Sequence, residues 1–368
     1  MRPVANKPSA HPAPPARAAR PAGKAQGTRN AASIQDVASA AEVSIATVSR
    51  VLNNPELVSQ ATATKVRAAI DKLGYRPNAF AQGLMTRTSR VLGIALPDIH
   101  GEFYSQLLLG ADAEARKAGY HLLVSSDARA GEMPGPNLAF GLIDGLAIML
   151  TEPNTQILKE AHAAGVPLVL VDGNPSAGEH DAILVDNELG ARDATLHLLT
   201  RCDASRCYFV GGPKENFDTA SRAKGFAAVL AEQGVKSKPA QSSFGQYTFE
   251  WGRGWAAGMI GRGLLRGAGV LAGNDDIAYG IIHAAREAGL EVPEDLLVIG
   301  FDDSRLASLI HPTLTTVRIP LPEVGAAAVR ALINRVENAD SSPVCVVLQP
   351  TLVVRESTSP KKWRHSKP

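Results

Sequence analysis

The chain has 368 residues, 45% hydrophobic and 20% charged, with a net charge of +2, which leaves room for two or three domains with a core each. The charge is uneven: residues 1–90 carry 13 basic against 4 acidic side chains, +9, and the remainder 25 against 32, −7. Positive charge gathered at one end suits a segment that neutralises phosphates, no uninterrupted apolar run of about 18 residues argues a membrane span, and Cys202, Cys207 and Cys345 form neither an even framework nor paired CxxC motifs.

Residues 1–32 are rich in Pro and Ala, contain six Lys or Arg and no acid, and read as a disordered basic tail without the apolar core of a secretory signal. Ser33 then caps a helix that carries Ile34, Val37, Ala38 and Ala41 on one face. Glu42 breaks the apolar run, Val43 turns back inward, and Ser44 caps a second helix with Val48, Val51 and Leu52 inward. Ile45, Ala46, Thr47, Ser49 and Arg50 are left facing out. Small and polar residues beside one arginine suit a helix entering a major groove, where a guanidinium can fork onto guanine. Periodicity alone fits an ordinary αα-hairpin equally well. Ser59 caps a third helix, Ala61 to Leu73, ended by Gly74.

From Val91 onward short apolar runs alternate with amphipathic helices: VLGIAL, Tyr104 to Ala118, HLLVSS, LAIML, a helix through Ala161, and PLVLV. The alternation predicts parallel sheets with helices on both faces, and ligands in such folds sit beyond the carboxyl ends of the strands. Candidate pocket residues follow from that rule. Phe103 and Tyr104 come after the first strand, Asn216 and Asp218 lie in the loop before a helix containing Arg222, Tyr247 follows a later strand, and Asn274-Asp275 and Asp302-Asp303 end two more. Aromatic faces stack on sugar or base rings, and Asp, Asn and Arg direct bonds to hydroxyls or exocyclic groups. Each residue alone has a plainer reading: Phe103 as core, Asn274 and Asp303 as turn formers, Arg222 as the partner of a nearby acid.

The whole pattern resembles the LacI/GalR family of bacterial repressors. The resemblance is carried by DVASAAEVSIATVSRVLNN, Val58-Ser59, LGYRPNAFAQGL, VLGIALPDI, GADAEARKAGY, IDGLAI, GVPLVLVD, LVDNELGA, SRAKGF, AGNDDIAYG, VIGFDDS, PTLTTV and LVVREST, in family order over about residues 33–358. It implies an all-α helix-turn-helix head plus hinge helix, joined to an α/β effector domain of two doubly wound parallel-sheet subdomains like those of periplasmic binding proteins. The implied boundaries are 33–76 for the head and 77–89 for hinge and linker. The N-subdomain takes about 90–187 and 318–346, the C-subdomain about 188–317 and 347–358, with passages near Asp186, Val317 and Val346, and 359–368 is a polar tail.

The resemblance also implies roles. Ile45, Ala46 and Arg50 match base-reading positions, with Ser44, Thr47, Ser49, Asn53, Tyr75 and Asn78 near phosphates. In the hinge, Ala81 and Leu84 would meet DNA, Leu84 as a wedge in the minor groove, beside Gly83, which weakens the helix. Effector contacts implied by the resemblance fall on Arg222 and Asp302, with weaker support for Phe103, Tyr104 and Tyr247, while Asn216, Asp218 and Asn274 stay candidates from their places at strand ends alone. Two departures stand out: Gly173 follows Asp172 where relatives often have Arg, and Ala128 to Phe140 is interrupted by Gly and Pro.

The implied partners are double-stranded operator DNA, a second copy of the chain, and a sugar, sugar phosphate or nucleobase. No membrane or cofactor is expected, and the place is the cytoplasm. Enzyme chemistry lacks a motif: no P-loop, nucleophile elbow or HExxH occurs, and GRGWAAG at Gly252 to Gly258 lacks the GxGxxG spacing of a dinucleotide loop. An exported solute-binding protein would share the effector fold but not the head.

Overall fold

The computed structural model describes residues 32–76, 88–126, 140–149, 155–172, 180–235 and 239–359. The expected hinge, with Asn78, Ala81, Gly83 and Leu84, lies outside the described residues, as do residues 1–31, Gly173, most of Ala128 to Phe140, and 360–368. The chain divides into two compact units, Met1–Asn78 and Ala79–Pro368.

The first unit holds helices α1 (Ile34–Ala41), α2 (Ile45–Asn53) and α3 (Gln60–Leu73). Each begins at a serine whose hydroxyl accepts a backbone N–H: Ser33 from Asp36, Ser44 from Thr47 and Ser59 from Thr62. At α1 the Asp36 carboxylate returns the favour to the Ser33 N–H at 2.8 Å, which closes a capping box. Glu42 ends α1 in the left-handed region, φ 55°, and its N–H bonds back to the Ala38 and Ser39 carbonyls, which makes the tight turn into α2. Val37, Ala38, Ala41, Val48, Val51, Ala63, Val66 and Ala69 form one small core. Eight such side chains, half of them alanine, bring the helices close without much apolar area, so caps matter to this unit's stability.

The second unit contains two six-stranded sheets. In the first run β1 (Val91–Leu96), β2 (His121–Ser126), β3 (Gly145–Met149), β4 (Leu168–Val171), β5 (Asp181–Val185) and β11 (Cys345–Leu348), in spatial order β11-β5-β4-β3-β1-β2 and all parallel. In the second run β6 (Cys207–Gly211), β7 (Ser242–Phe244), β8 (Ala268–Ala272), β9 (Leu296–Asp302), β10 (Thr315–Arg318) and β12 (Thr351–Val353), in order β12-β10-β9-β8-β6-β7, with only β12 antiparallel to its neighbour. Central strands such as β3, β4 and β8 are buried throughout, as parallel strands covered on both faces must be.

Helices α4 (Glu102–Lys117) and α10 (Leu321–Glu337) pack together, α10 lies against β3, β4 and β5, and α5 (Thr155–Ala163) joins β3 to β4. Arg335 of α10 makes a two-pronged ion pair with buried Asp181 at the start of β5, 2.7 and 3.1 Å, fastening the returning helix to the first sheet. On the second sheet α6 (Asn187–Leu199) packs with α7 (Phe217–Glu232), and α8 (Phe249–Gly261) with α9 (Asp275–Glu287). The GRGWAAG stretch lies inside α8, where a Cβ on Gly252 would meet the Ile277 carbonyl oxygen at 2.1 Å, so that glycine serves close helix packing.

The chain passes between the sheets at Asp186, at 319–320 and at 349–350. The last two lie beyond the expected Val317 and Val346. Arg318 still pairs with Asp302 and Thr351 in the second sheet, and Val347 and Leu348 still pair with Leu184 and Val185 in the first. Pro320 and Pro350, with no N–H to continue a ladder, follow these strand ends.

Candidate DNA-reading helix and effector cleft

On the first unit, Ser44, Ile45, Ala46, Arg50 and Asn53 are exposed, while Thr47 and Ser49 are half-buried. Ile45 is 41% exposed. The Ser44 hydroxyl both caps α2 and lies 2.9 Å from the Thr47 hydroxyl, and Asn53 donates to Ser49 Oγ at 3.3 Å. Cap and pair order the hydroxyls at the helix start, where backbone N–H groups and the helix dipole favour an anion. Tyr75, expected near phosphate, is half-buried against the small core.

In the second unit the carboxyl ends of the strands deliver a cluster of polar side chains. Arg222, on α7, is 3% exposed. Its Nε donates to Asn187 Oδ1 at 2.8 Å, Nη1 donates to the Gly273 carbonyl at 2.5 Å, and its guanidinium carbon sits 3.9 Å from the centroid of the Phe301 ring. Asp218 lies one helical turn earlier, 3.8 Å from Arg222 Nη2, and its Oδ1 accepts from Asn187 Nδ2 at 3.0 Å. Asp218 therefore stands in the first turn of α7, not in the loop before it, because Asn216 caps the helix by accepting the Thr219 N–H at 3.0 Å.

Tyr247 donates to Asn216 Oδ1 at 3.1 Å and lies 2.7 Å from the Thr219 hydroxyl. A Cβ on Gly212 would fall 2.5 Å from the Tyr247 ring, so glycine is what lets the ring lie on the end of β6. Asn274 caps α9 by accepting the Ile277 N–H, also at 3.0 Å. The plainer reading of Asn274 is thus present: its oxygen is used by the fold, as is that of Asn216. Asp303 likewise is structural, holding Arg318 and Arg355 at 2.6 Å each. Phe103 and Tyr104 meet edge to face, centroids 5.2 Å apart, and pack partly on the main core.

Asp302 has φ 109° and an Oδ1 that is buried without a hydrogen-bond partner. A non-glycine residue held in that region costs free energy, and such strain collects where a side chain is presented for use. Asp172, at the end of β4, shares the property: φ 53°, buried, with Oδ1 accepting the Val185 N–H at 3.3 Å. Burial raises the carboxyl pKa of Asp172, Asp218 and Asp302, and Arg222 opposes the rise in each. The nearby Asp218 adds to it at Asp172, and Asp275 and Asp218 add to it at Asp302. Burial and the charges of Asp98, Asp302 and Asp218 push the Tyr104 phenol up to about 12, which ties this first-sheet residue to carboxylates of the second sheet. Burial works against the charge of Arg222, but Tyr247, Asp218, Asp302 and Asp172 more than offset it.

The structure thus gathers Tyr104, Asn216, Asp218, Arg222, Tyr247, Asn274 and Asp302, and adds two residues that the sequence reading passed over, Asp172 and Asn187. Among the described residues no group of three or more His, Cys, Asp or Glu is placed to hold a metal ion, and no helix is long and apolar enough to cross a membrane.

Residues 33–78 match the family described as bacterial regulatory proteins, lacI family, and residues 197–358 match the periplasmic binding protein-like domain. Catabolite control protein A of Priestia megaterium is 32% identical over 323 residues, 86% of this chain and 96% of its own length. The chain belongs to the LacI family. The ribose operon repressor of Escherichia coli K12, another relative, is 32% identical over 86% of this chain and 97% of its own. Among solved structures, the Lac repressor dimer bound to operator and the anti-inducer ONPF superimposes with a TM-score of 0.79 at 27% identity, over 89% of this chain and 99% of that one. The regulator CelR in complex with cellobiose gives 0.69, also at 27% identity, over 89% and 99%. LacI-family membership makes this chain a DNA-binding regulator of transcription, and its relatives are regulators rather than enzymes.

Proposed function

We propose that this LacI-family chain is a repressor that binds a pseudo-palindromic operator as a homodimer and changes its grip on DNA when a small polar effector, a sugar in the first instance, enters the cleft between the two sheets of its second unit. Ser44–Asn53 is the reader: Arg50 makes the directed bonds to base edges, Ile45 and Ala46 fit against thymine methyls, and Ser44, Thr47, Ser49, Asn53, Tyr75 and Asn78 position the head on phosphates. Residues 77–89 form the hinge, with Ala81 and Leu84 at the minor groove. Phe103, Tyr104 and Tyr247 offer ring faces, and Arg222, Asp302, Asp218, Asn216 and Asn274 offer polar contacts.

The observation that carries the reading is the Arg222 cluster. A buried guanidinium, the buried carboxyl of Asp172, the half-buried carboxyls of Asp218 and Asp302, and an unpartnered Asp302 oxygen stand where the chain crosses from one sheet to the other. A ligand bridging that crossing can favour one arrangement of the subdomains, and an effector acts only through such a difference in affinity between states. The test is selection of bound sequences from a random DNA pool with the full chain at near-physiological salt. A two-fold symmetric motif of about 14–20 base pairs is expected for a dimeric reader, whereas enrichment of an asymmetric half-site alone, or of nothing with or without sugars present, would remove the dimeric-operator reading.

A further inference from the structure

We propose that Cys202 and Cys207 are a modification site for peroxide: a hydroperoxide oxidises the Cys202 sulfur, and Cys207 then closes a reversible disulfide with it. The pair stands at the amino end of β6, whereas the Arg222 cluster gathers at the carboxyl ends of the strands, so the site is separate from the effector cleft.

The two cysteines sit at opposite ends of one short connection. Helix α6 ends at Leu199, Cys202 follows in the turn after it, a single 3-10 turn takes up Ala204–Arg206, and Cys207 opens β6. This folding back brings both sulfurs to one carbonyl: Cys202 Sγ lies 3.5 Å and Cys207 Sγ 3.6 Å from the Asp203 oxygen. The thiols also hydrogen-bond each other. Two sulfurs in such contact need to approach by only about 2 Å to bond. The connection between them is exposed at Asp203, Ser205 and Arg206, outside the sheet, where it can take up a movement of that size.

The pair is asymmetric. Cys202 is 9% exposed and Cys207 fully buried. The hydrogen bond from Cys207, helped by the Gly269 N–H and the charge of Arg206, holds the Cys202 thiol below the usual thiol range, against burial and Asp203. The same bond, together with burial, raises the thiol of Cys207. The thiolate therefore forms on the sulfur nearer solvent, with a protonated thiol beside it, which is the arrangement of an attacking cysteine and a resolving one. Inert core thiols are the competing consideration, since both side chains belong to the main core. Packing alone calls neither for the bond between the thiols nor for a backbone amide directed at one sulfur. A disulfide is as apolar as the thiols it replaces, so the oxidised pair can stay in that core. Cys345, the third cysteine, is exposed on β11 of the other sheet.

With hydrogen peroxide as the oxidant the chemistry balances. The Cys202 thiolate attacks one peroxide oxygen; the S–O bond forms, the O–O bond breaks, and the departing hydroxide takes up the proton that Cys202 gave away, leaving as water. The Cys207 sulfur then attacks the sulfur of the Cys202 sulfenic acid; the S–S bond forms, the S–O bond breaks, and the hydroxyl leaves with the Cys207 proton as a second water. The two sulfurs together lose two electrons, and the peroxide gains them. A dithiol reverses the change. The new bond fastens the end of α6 to the start of β6, and α6 is the helix that begins at Asn187.

The experiment exposes the folded full chain, carrying Cys345→Ser to remove the exposed thiol, to hydrogen peroxide near neutral pH, blocks remaining thiols with N-ethylmaleimide and reads the tryptic peptides by mass spectrometry. Trypsin cuts after Arg201, Arg206 and Lys214, so the two cysteines fall on separate peptides, 202–206 and 207–214. The expected result is a linked pair of these peptides that dithiothreitol separates. Cys207→Ser should give no link and instead a Cys202 sulfenic acid that dimedone captures, and Cys202→Ser should leave Cys207 a thiol through the same exposure. The linked pair is read in a chain that keeps both buried cysteines, so the answer does not depend on either of these variants folding. Full blocking of both thiols after peroxide overturns the proposal, and so does Cys202 carried on to sulfinic acid while Cys207 stays a thiol.

Discussion

Asn187 and Arg222 are joined by a 2.8 Å hydrogen bond between the amide Oδ1 and the guanidinium Nε, and Asn187 is the first residue of α6 after the chain leaves the first sheet. The same amide donates to Asp218 at 3.0 Å and to the Val185 carbonyl, the last residue of β5, at 3.4 Å. One side chain thus connects the polar cluster of the second sheet to the strand from which the first passage departs.

Replacing Asn187 with alanine should cost about 1–3 kcal/mol in urea unfolding of the second unit, because Arg222 Nε and an Asp218 oxygen are left buried without their partner. The same variant should lose coupling between effector and DNA. Unchanged unfolding midpoints and an unchanged effector response would show that the amide is dispensable.

Asp303 answers two arginines at 2.6 Å each, Arg318 on β10 and Arg355 just past β12, and the Arg355 side chain is only 17% exposed. Asp303→Ala takes the carboxylate from Arg355, which keeps its bond to the Leu314 carbonyl at 2.7 Å, and should destabilise the unit by about 1–3 kcal/mol. Arg318→Ala, with its side chain 55% exposed, should cost well under half of that. Thermal melts of the two variants give the comparison, and equal losses would contradict it.

Asp275 gives a pH signature. Burial raises its carboxyl from 3.8 to about 7, against hydrogen bonds from the Thr316 hydroxyl and the Ser304 N–H that lower it, with Asp303 adding to the rise. The unfolded chain gives up this proton near pH 4 while the folded chain keeps it to about 7, so the group's contribution to stability falls as pH rises across that window and is level outside it. Asp275→Asn removes the slope. Stability of the variant relative to the parent should therefore improve between pH 4 and 7, by up to a few kcal/mol (about 1.4 per pKa unit), and a flat difference across the window would count against a retained proton.

Much of this fold was legible in the sequence because its signals are local. Ser33, Ser44 and Ser59 announced three helix starts, and the 3.6-residue spacing of Val37, Ala41, Val48 and Val51 announced the face they bury. The alternation from Val91 likewise gave the parallel sheets. The passages at 319–320 and 349–350 were placed a few residues early because strand ends depend on cross-strand partners, here Asp302 and Val185, far away in the chain.

The site was legible where motifs end strands, as at Arg222 and Asp302. Asp172 carries no such signal in the sequence, where it is one acid after an apolar run with Gly173 next to it, and its φ of 53° shows only in three dimensions. Asn187 sits within the quoted LVDNELGA but looks there like an ordinary helix start. Only the fold brings α7 alongside and turns its amide into a bridge.

In the proposed reader helix α2, stability and recognition fall on different side chains. Ser44→Ala removes the α2 cap and should cost the head about 1 kcal/mol in a melt. Arg50 is exposed, so Arg50→Ala should shift the melt by no more than about 0.5 kcal/mol while erasing roughly 1–3 kcal/mol of preference at one base pair of each half-site. Retained sequence preference in Arg50→Ala would assign base reading to other residues of α2.

On the proposed function, the Arg222 cluster governs the grip of the head on DNA. Its most direct test is fluorescence anisotropy with the operator recovered by selection, measured with and without the sugar that binds most tightly, for the parent chain and for Arg222→Lys. Sugar should shift operator affinity at least fivefold in the parent, about 1 kcal/mol of coupling, and not in Arg222→Lys, whose operator affinity without sugar should stay within about twofold of the parent. An equal sugar-dependent shift in both proteins would contradict it.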